Sequence, residues 1–438
     1  MPIIPLGIGS YKRSDGLVPE VILRNMYLEK DQSGISPDNT LRIQRPGLAK
    51  LGDLKSIIRG VHYRTSTGER LTVAGSTLYT NEVSKGGIPG SDPVAIASTP
   101  FATVIVGGSL AYRYTDTIAP LTLPDDAPVF AAVQDVDQLN GYAILLQSTG
   151  RFYWLVPGET AIDALNFATA ESLPDKAVAV RRLGDEFWIF GQENVEVWQP
   201  TGDQDAPFQR ASGRNFERGC LYRDAVRRFD NTLVWVGDDY QVYRASSVPQ
   251  VISDSGIAER IRKAVAPCSA WTFGVDGHSF YVLTIPGQGR FAYDAATQAW
   301  SEFTWPVGYG YQVNGDTIAA SDVDGRLWRV DPNATTDDGV VFERAVSCTV
   351  PIQGKPPRND SVSIGVGASA DTLVRLRWKD GQDDYPAYYD KIDVRAPFDV
   401  GILWRLGRPD QPVRTFELSC VTDVRVRFSG MMAEEAWA

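Results

Sequence analysis

Residues capable of covalent or metal chemistry are few in this 438-residue chain: two histidines, His62 and His278, and four cysteines, Cys220, Cys268, Cys348 and Cys420. A serine hydrolase needs a nucleophile on a strained elbow, beside a histidine that a carboxylate orients. No G-x-S-x-G run occurs; His62 lies inside the strand-like RGVHYRT, and His278 follows a turn in VDGHSF. Two histidines so placed argue equally against a multi-histidine zinc site. The cysteines are far apart and form no C-x-x-C pair, a spacing that supports neither a zinc knuckle nor a disulfide framework. Reduced, mostly buried thiols are the expectation.

Carboxylates are abundant but poorly placed for catalysis. Glycoside hydrolysis needs two of them facing each other across a cleft, whereas Asp238–Asp239, Asp337–Asp338 and Asp383–Asp384 are adjacent pairs in polar turns or linkers. The DVDG stretch at 322–325 has the look of a calcium loop, but Arg326-Leu327-Trp328 supplies none of the later oxygen ligands. SDVDGRLW also approximates the Asp box of sialidase-type propellers, with Val323 where the acidic residue belongs. No phosphate loop is present. The sequence therefore assigns no catalytic, cofactor-binding or metal-ligating residue, and no cofactor is expected. The 11 tryptophans could stack sugars, but Trp198, Trp235 and Trp328 fall at repeating positions that read as core.

Basic residues gather in two regions. One holds Arg210, Arg214, Arg218, Arg223, Arg227 and Arg228; in the other, Arg375, Arg377 and Lys379 share a strand face, as do Arg425 and Arg427. Phosphate contact is one use for them. The favoured reading is a solvated or inter-subunit face paired to carboxylates, because the chain carries 54 acidic against 43 basic side chains and a net charge of −11. Such a protein repels a polyanion on average. Residues 344–438 hold 13 of each sign, so the acidic excess lies in residues 1–343.

The elements that would position these residues are strands. An apolar strand, a tight polar turn and a second strand recur at 71–81, 103–115, 142–156, 187–200, 233–246, 280–294 and 318–331. Successive turns are 32 to 50 residues apart, and 40 Gly and 27 Pro punctuate the chain. That period fits an all-β β-propeller of six or seven blades over 56–340. A blade cannot bury both of its faces alone, so blades must stack until a ring closes. Short helices are expected at 253–266, with Ile257, Ile261, Ala264 and Val265 on one face, and at 160–171. Alternating strands without the period predict a C-terminal β-sandwich at 344–430, and residues 1–55 read as an arm or platform segment. No window approaches the ~18 apolar residues of a membrane span, and no secretory signal opens the chain, so folding in a cytoplasm is expected.

Several segments, in this order along the chain, carry a family resemblance. They are NMYLEK (25–30), RPGL (45–48), RGVHY (59–63), FATAESLPD (167–175), FWIFGQENVEVWQPTG (187–202), AERIRKAV (258–265), LWRLGR (403–408) and ELSCVTDVRVRFSG (417–430). Together they resemble the packaged-DNA stabilisation proteins of short-tailed bacteriophages, also called tail accessory, nozzle or hub proteins. The resemblance implies a structural virion protein, not an enzyme, assembled in the host bacterial cytoplasm and ending in the virion tail. It implies a homo-hexamer below the portal and its adaptor ring that extends the DNA channel, retains packaged DNA and passes it during genome ejection. Its implied partners are that adaptor, tail fibres or spikes, a tail needle, and double-stranded DNA bound without sequence preference. The competing classes are a free-standing propeller lectin or glycan-active enzyme, and a scaffold propeller that binds proteins.

Overall fold

The seven hairpins are the second and third strands of seven antiparallel blades: five separate four-stranded sheets spanning 58–87, 95–121, 133–169, 177–216 and 227–251, a four-stranded part of a larger sheet at 269–302, and three strands at 307–331 that an earlier strand completes. The computed structural model describes residues 3–4, 6–12, 20–124, 133–170, 175–351, 358–381, 384–387, 389–407, 409, 411 and 413–436, and nearly all regular structure in them is β. The first strands of successive sheets pack against one another, and Val307–Val313 of the seventh returns to Ile58–Arg64 of the first. The sheets therefore close a ring.

Central strands of this ring are buried on both faces, which is why they read as continuous apolar runs. In Tyr142–Gln147, Ala143 and Leu145 enter the core shared with the second sheet, while Ile144 and Leu146 enter the core shared with the fourth. The fourth-to-fifth core holds Trp188, Phe190 and Trp235; the sixth-to-seventh holds Trp271, Trp305 and Trp328. Gly310 is a sterically required glycine, since a Cβ there would meet the Trp271 ring at 2.5 Å. The seventh-to-first core is the smallest, built on Ile58, Ala74, Ala320 and Leu327.

Closure comes from an early segment. Gly47–Asp53 pairs antiparallel with Arg326–Asp331 as the fourth strand of the seventh sheet, and the bonds Leu54 N to Gly325 O (2.9 Å) and Ile58 N to Asp324 O (3.1 Å) continue that seam. Residues 322–325, which join Asp316–Ser321 to Arg326–Asp331, form a polar hairpin turn: Asp322 is held by Arg290, and Asp324 by Arg326.

Residues outside the ring form two further sheets around one apolar core. In one, Met26–Lys30, Thr40–Gln44, Val426–Ala436, Arg358–Ala368 and Phe398–Gly407 lie side by side, with Ile3–Ile4 paired to Val426–Ala436. In the other, Leu23–Arg24 is followed by Arg344–Pro351, Val413–Cys420, Thr372–Asp380 and Asp390–Val394. Leu23, Met26, Val346, Val362, Ile364, Leu376, Phe416, Leu418 and Phe428 fill the space between them. Leu23–Arg24 also pairs parallel with Trp300–Glu302, so this second sheet is continuous with the sixth sheet of the ring.

The expected helix near 253 is Ser255–Arg262, capped by the Asp254 carboxylate accepting from Ile257 N at 2.9 Å. Ile257, Ala258 and Ile261 are buried, but Val265 is exposed because the helix stops before it. No helix forms in described residues 160–170. Phe167–Thr169 is instead the fourth strand of the third sheet, paired to Arg151–Tyr153, with the Arg151 guanidinium 4.4 Å from the Phe167 ring. Backbone pairing and that stacking override the weak local helix pattern.

Candidate functional site: the ring axis and an apolar strand edge

At the centre of the ring is a cavity of about 320 Å3 to which all seven sheets contribute. Its wall includes Gly60–His62, Val94–Ile96, Val136, Asp137, Arg181, Asp224, Arg227, Arg228, Trp271, Thr272 and Tyr309–Gln312. Innermost strands carry these polar residues because their side chains have no neighbouring sheet to pack on, only the axis.

The charges there are stitched from sheet to sheet. Asp135 is fully buried, accepts from Val180 N at 2.8 Å and pairs with Arg181. Two residues on, Asp137 accepts from Arg182 N at 2.8 Å. Arg223 donates to Gln134 O (2.6 Å) and Pro93 O (2.8 Å) and grips Asp224 through two 3.0 Å bonds, so it ties the approach to the fifth sheet to the first strand of the third and to the approach to the second. Burial would raise the Asp224 carboxyl, but Arg223, Arg227 and Arg181 together outweigh it and the net shift is downward. Burial raises Asp135, with Arg181 opposing. Burial, reinforced by the repulsion of Arg181, lowers the Arg227 guanidinium to about 10. His62 is lowered to about 4, chiefly by burial and then by Arg228; its Nε2 is sealed from solvent with no hydrogen-bond partner.

The other sequence-selected residues are placed individually. Arg214 pairs with Glu186, and Arg218 lies 3.4 Å from Asp238 and 3.5 Å from Asp239, so with Arg223 and Arg228 most of the 210–228 cluster is dispersed into acid pairs. Arg377 pairs with Glu417 at 2.7 Å on the neighbouring strand and lies 4.5 Å from the rings of Tyr385 and Tyr389, with Lys379 also over Tyr385. Arg425 reaches Pro332 O (3.0 Å) and Asn333 Oδ1 (3.1 Å), clasping the outer sheets to the ring. Asp337 is held by Arg45 and Asp338 accepts from Trp328 Nε1 at 3.4 Å; Asp383 lies outside the described residues. His278 Nδ1 bonds the Asp294 carboxylate at 2.8 Å, with no serine nucleophile in that arrangement. All four thiols are buried and unbonded to each other, and burial pushes Cys220, Cys268 and Cys348 up to about 12. Among the described residues no cluster of three His, Cys, Asp or Glu side chains is arranged to hold a metal, and no helix is long and apolar enough to cross a membrane.

Sequence reasoning missed one surface. Phe398–Gly407 is the outermost strand of its sheet, and its alternate residues Phe398, Val400, Ile402 and Trp404 are 37%, 46%, 48% and 61% exposed. Their register partners on Arg358–Ala368 are Gly367, Gly365, Ser363 and Ser361, so a ridge of large apolar side chains borders a row of small ones. The signal was available as F-x-V-x-I-x-W in the sequence, but alternation alone does not reveal which side faces the core.

The family model described as bacteriophage P22 Gp10, β-propeller, under the heading of phage stabilisation, matches residues 2–317. The tail hub protein gp10 of Salmonella phage P22 is 29% identical over 167 residues, covering 36% of this chain and 35% of that relative's length. Among solved structures, BBS1N in complex with ARL6DN matches at TM-score 0.46 and 11% identity over 66% of this chain and 98% of that one. YCF48 from Cyanidioschyzon merolae matches at 0.42 and 13% over 66% and 99%, and the WD40 β-propeller domain of Doa1 at 0.40 and 10% over 65% and 96%.

Proposed function

The chain belongs to the phage-stabilisation family of bacteriophage P22 Gp10, a β-propeller family, and from that premise we propose that it is a tail hub protein. Six copies form a ring below the portal and its adaptor, extend the DNA channel, retain packaged DNA and pass it during ejection. The work is mechanical. No bond is made or broken; a plug or tip moves, and fibres, spikes or a needle dock on the rims. The protein resides in the virion tail after assembly in the host cytoplasm.

The observation that carries this reading beyond the family is the exposed Phe398–Trp404 ridge on a free strand edge. Exposed apolar rows of that kind are costly in an isolated molecule and mark surfaces that a protein partner covers. We assign that partner as the neighbouring copy in the ring, because repeated heterologous contacts close into rings. The net charge of −11 supports passage rather than capture of DNA, since a basic wall would hold the duplex by counterion release. The propeller unit in this reading has seven blades and comprises 47–331, in place of a division at 56–340. The sandwich unit draws on both 3–44 and 344–436, in place of a free arm at 1–55.

The test is assembly of the chain with its adaptor, read by mass photometry. Six copies per adaptor ring are expected for the native chain, and no ring for Trp404→Glu, whose circular dichroism and melting temperature should be unchanged. Normal rings from Trp404→Glu would remove the ridge from the interface. Absence of any native ring on the adaptor would remove the hub reading itself.

A further inference from the structure

The axial cavity holds more positive charge than its own carboxylates neutralise. Three guanidinium groups line it, those of Arg181, Arg227 and Arg228, against the carboxylates of Asp137 and Asp224, while Asp135 and Arg223 pair with this lining from behind. Asp135 is engaged by Arg181 and Asp224 by both donor nitrogens of Arg223. Arg228 lies 3.9 Å from Asp137, a loose contact, and is 55% exposed at the cavity mouth. Arg227 is the residue left over. Among the described residues it has no carboxylate within 4 Å, and its Nη1 donates to Val226 O at 2.8 Å.

Arg227 is half-buried, and a guanidinium partly withdrawn from water is favoured by an anion placed against it. The nearby Asp224 and Asp135 act on Arg227 at longer range but are themselves paired to Arg223 and Arg181, and Arg227 borders a cavity of about 320 Å3, room for a small ion. His62, on the same wall, has its Nε2 buried without a partner, a second polar atom with nothing to bond. Guanidinium groups match tetrahedral oxyanions through paired N–H donors.

We infer that the axial cavity is a binding site for a small free oxyanion of phosphate or sulphate size, held by Arg227 with Arg228 at the mouth. The occupant would sit on the axis where all seven blades converge and would act as a structural ion that locks the ring. A double helix, whose major groove alone is ~12 Å wide, is too large to be enclosed in a cavity of about 320 Å3. The inference is independent of the hub reading: it concerns one chain and needs no assembly.

The experiment is a thermal melt of the full chain in chloride buffer, titrated with sodium phosphate or sulphate while sodium chloride holds the ionic strength constant. A saturable rise is expected, reaching about 3 °C at a hundredfold excess over the dissociation constant. Arg227→Met should abolish the rise. Arg228→Gln, at the exposed mouth and therefore safe for folding, should keep it but shift half-saturation about tenfold upward. A 12-base-pair duplex at equal phosphate concentration should give no rise. No saturable rise in the native chain would overturn the inference, as would a full rise at unchanged half-saturation in both variants, or a rise with the duplex and none with free phosphate.

Discussion

Arg45 concentrates the physics of the junction between ring and sandwich. Its side chain is fully buried and binds Asp337 through two bonds (2.9 and 2.6 Å), Asn25 Oδ1 (2.8 Å) and Pro46 O (2.9 Å), with the guanidinium 3.9 Å from the Phe342 ring. Arg45→Met would strand the Asp337 carboxylate, and such breakage costs about 3–5 kcal/mol. Arg45→Lys should rescue little, because an ammonium cannot reproduce the planar fork. Urea unfolding would read this as a lower midpoint at unchanged slope. The two histidines give opposite pH signatures. His62, facing Arg228 and Asp137, is held neutral down to about 4. As pH falls from about 6.5 towards 4 the unfolded chain gains a proton that the folded chain refuses, so stability falls, by up to about 3 kcal/mol. The hydrogen bond to Asp294 raises His278, against its burial. Its contribution is complete below about 6.5 and is lost as pH rises through its raised value. His62→Leu should remove the acid-side loss and His278→Gln the neutral-side one, measured by denaturation between pH 4 and 8. Parallel pH profiles for variant and native chain would contradict these assignments.

Among the elements, the seam between the seventh and first blades is the weakest place in the ring. Its apolar core is the smallest, and it is held instead by the Gly47–Asp53 strand. Native-state hydrogen exchange should find Ile58–Arg64 and Val307–Val313 less protected than Tyr142–Gln147, which is buried on both faces. Gly47→Val should lower that protection further, at least tenfold, because a side chain there meets the Thr336 carbonyl. Uniform protection around the ring would contradict a weak seam. The same contrast explains what the sequence disclosed. Second strands such as YAILLQ and FWIFG announce themselves because both faces are buried. First strands carry Asp135, Asp137 and Arg181 towards the axis, and so resemble loops. The closing strand GLAKLGD lies about 280 residues from its partner, and no local spacing could join them. Helix Ser255–Arg262 was legible through its cap and apolar stripe, whereas 160–170 lacked any tertiary information in its local pattern.

For the whole molecule, the candidate site is a matter of surfaces rather than of reacting groups. The arginine-rich segment at 210–228 could be counted in the sequence, but its dispersal into acid pairs and onto the axis depends on the ring. The ridge at 398–404 became significant only when its strand proved to be an edge. A hub conduit should hold this acidic chain around DNA without gripping it, so lysine at channel-lining carboxylates should slow genome exit and leave assembly intact. Imaging by negative stain of the chain co-expressed with its head–tail adaptor tests the central claim most directly. The account predicts a six-fold ring with a central hole, stacked on the adaptor ring. Isolated single discs in the presence of that adaptor would contradict it.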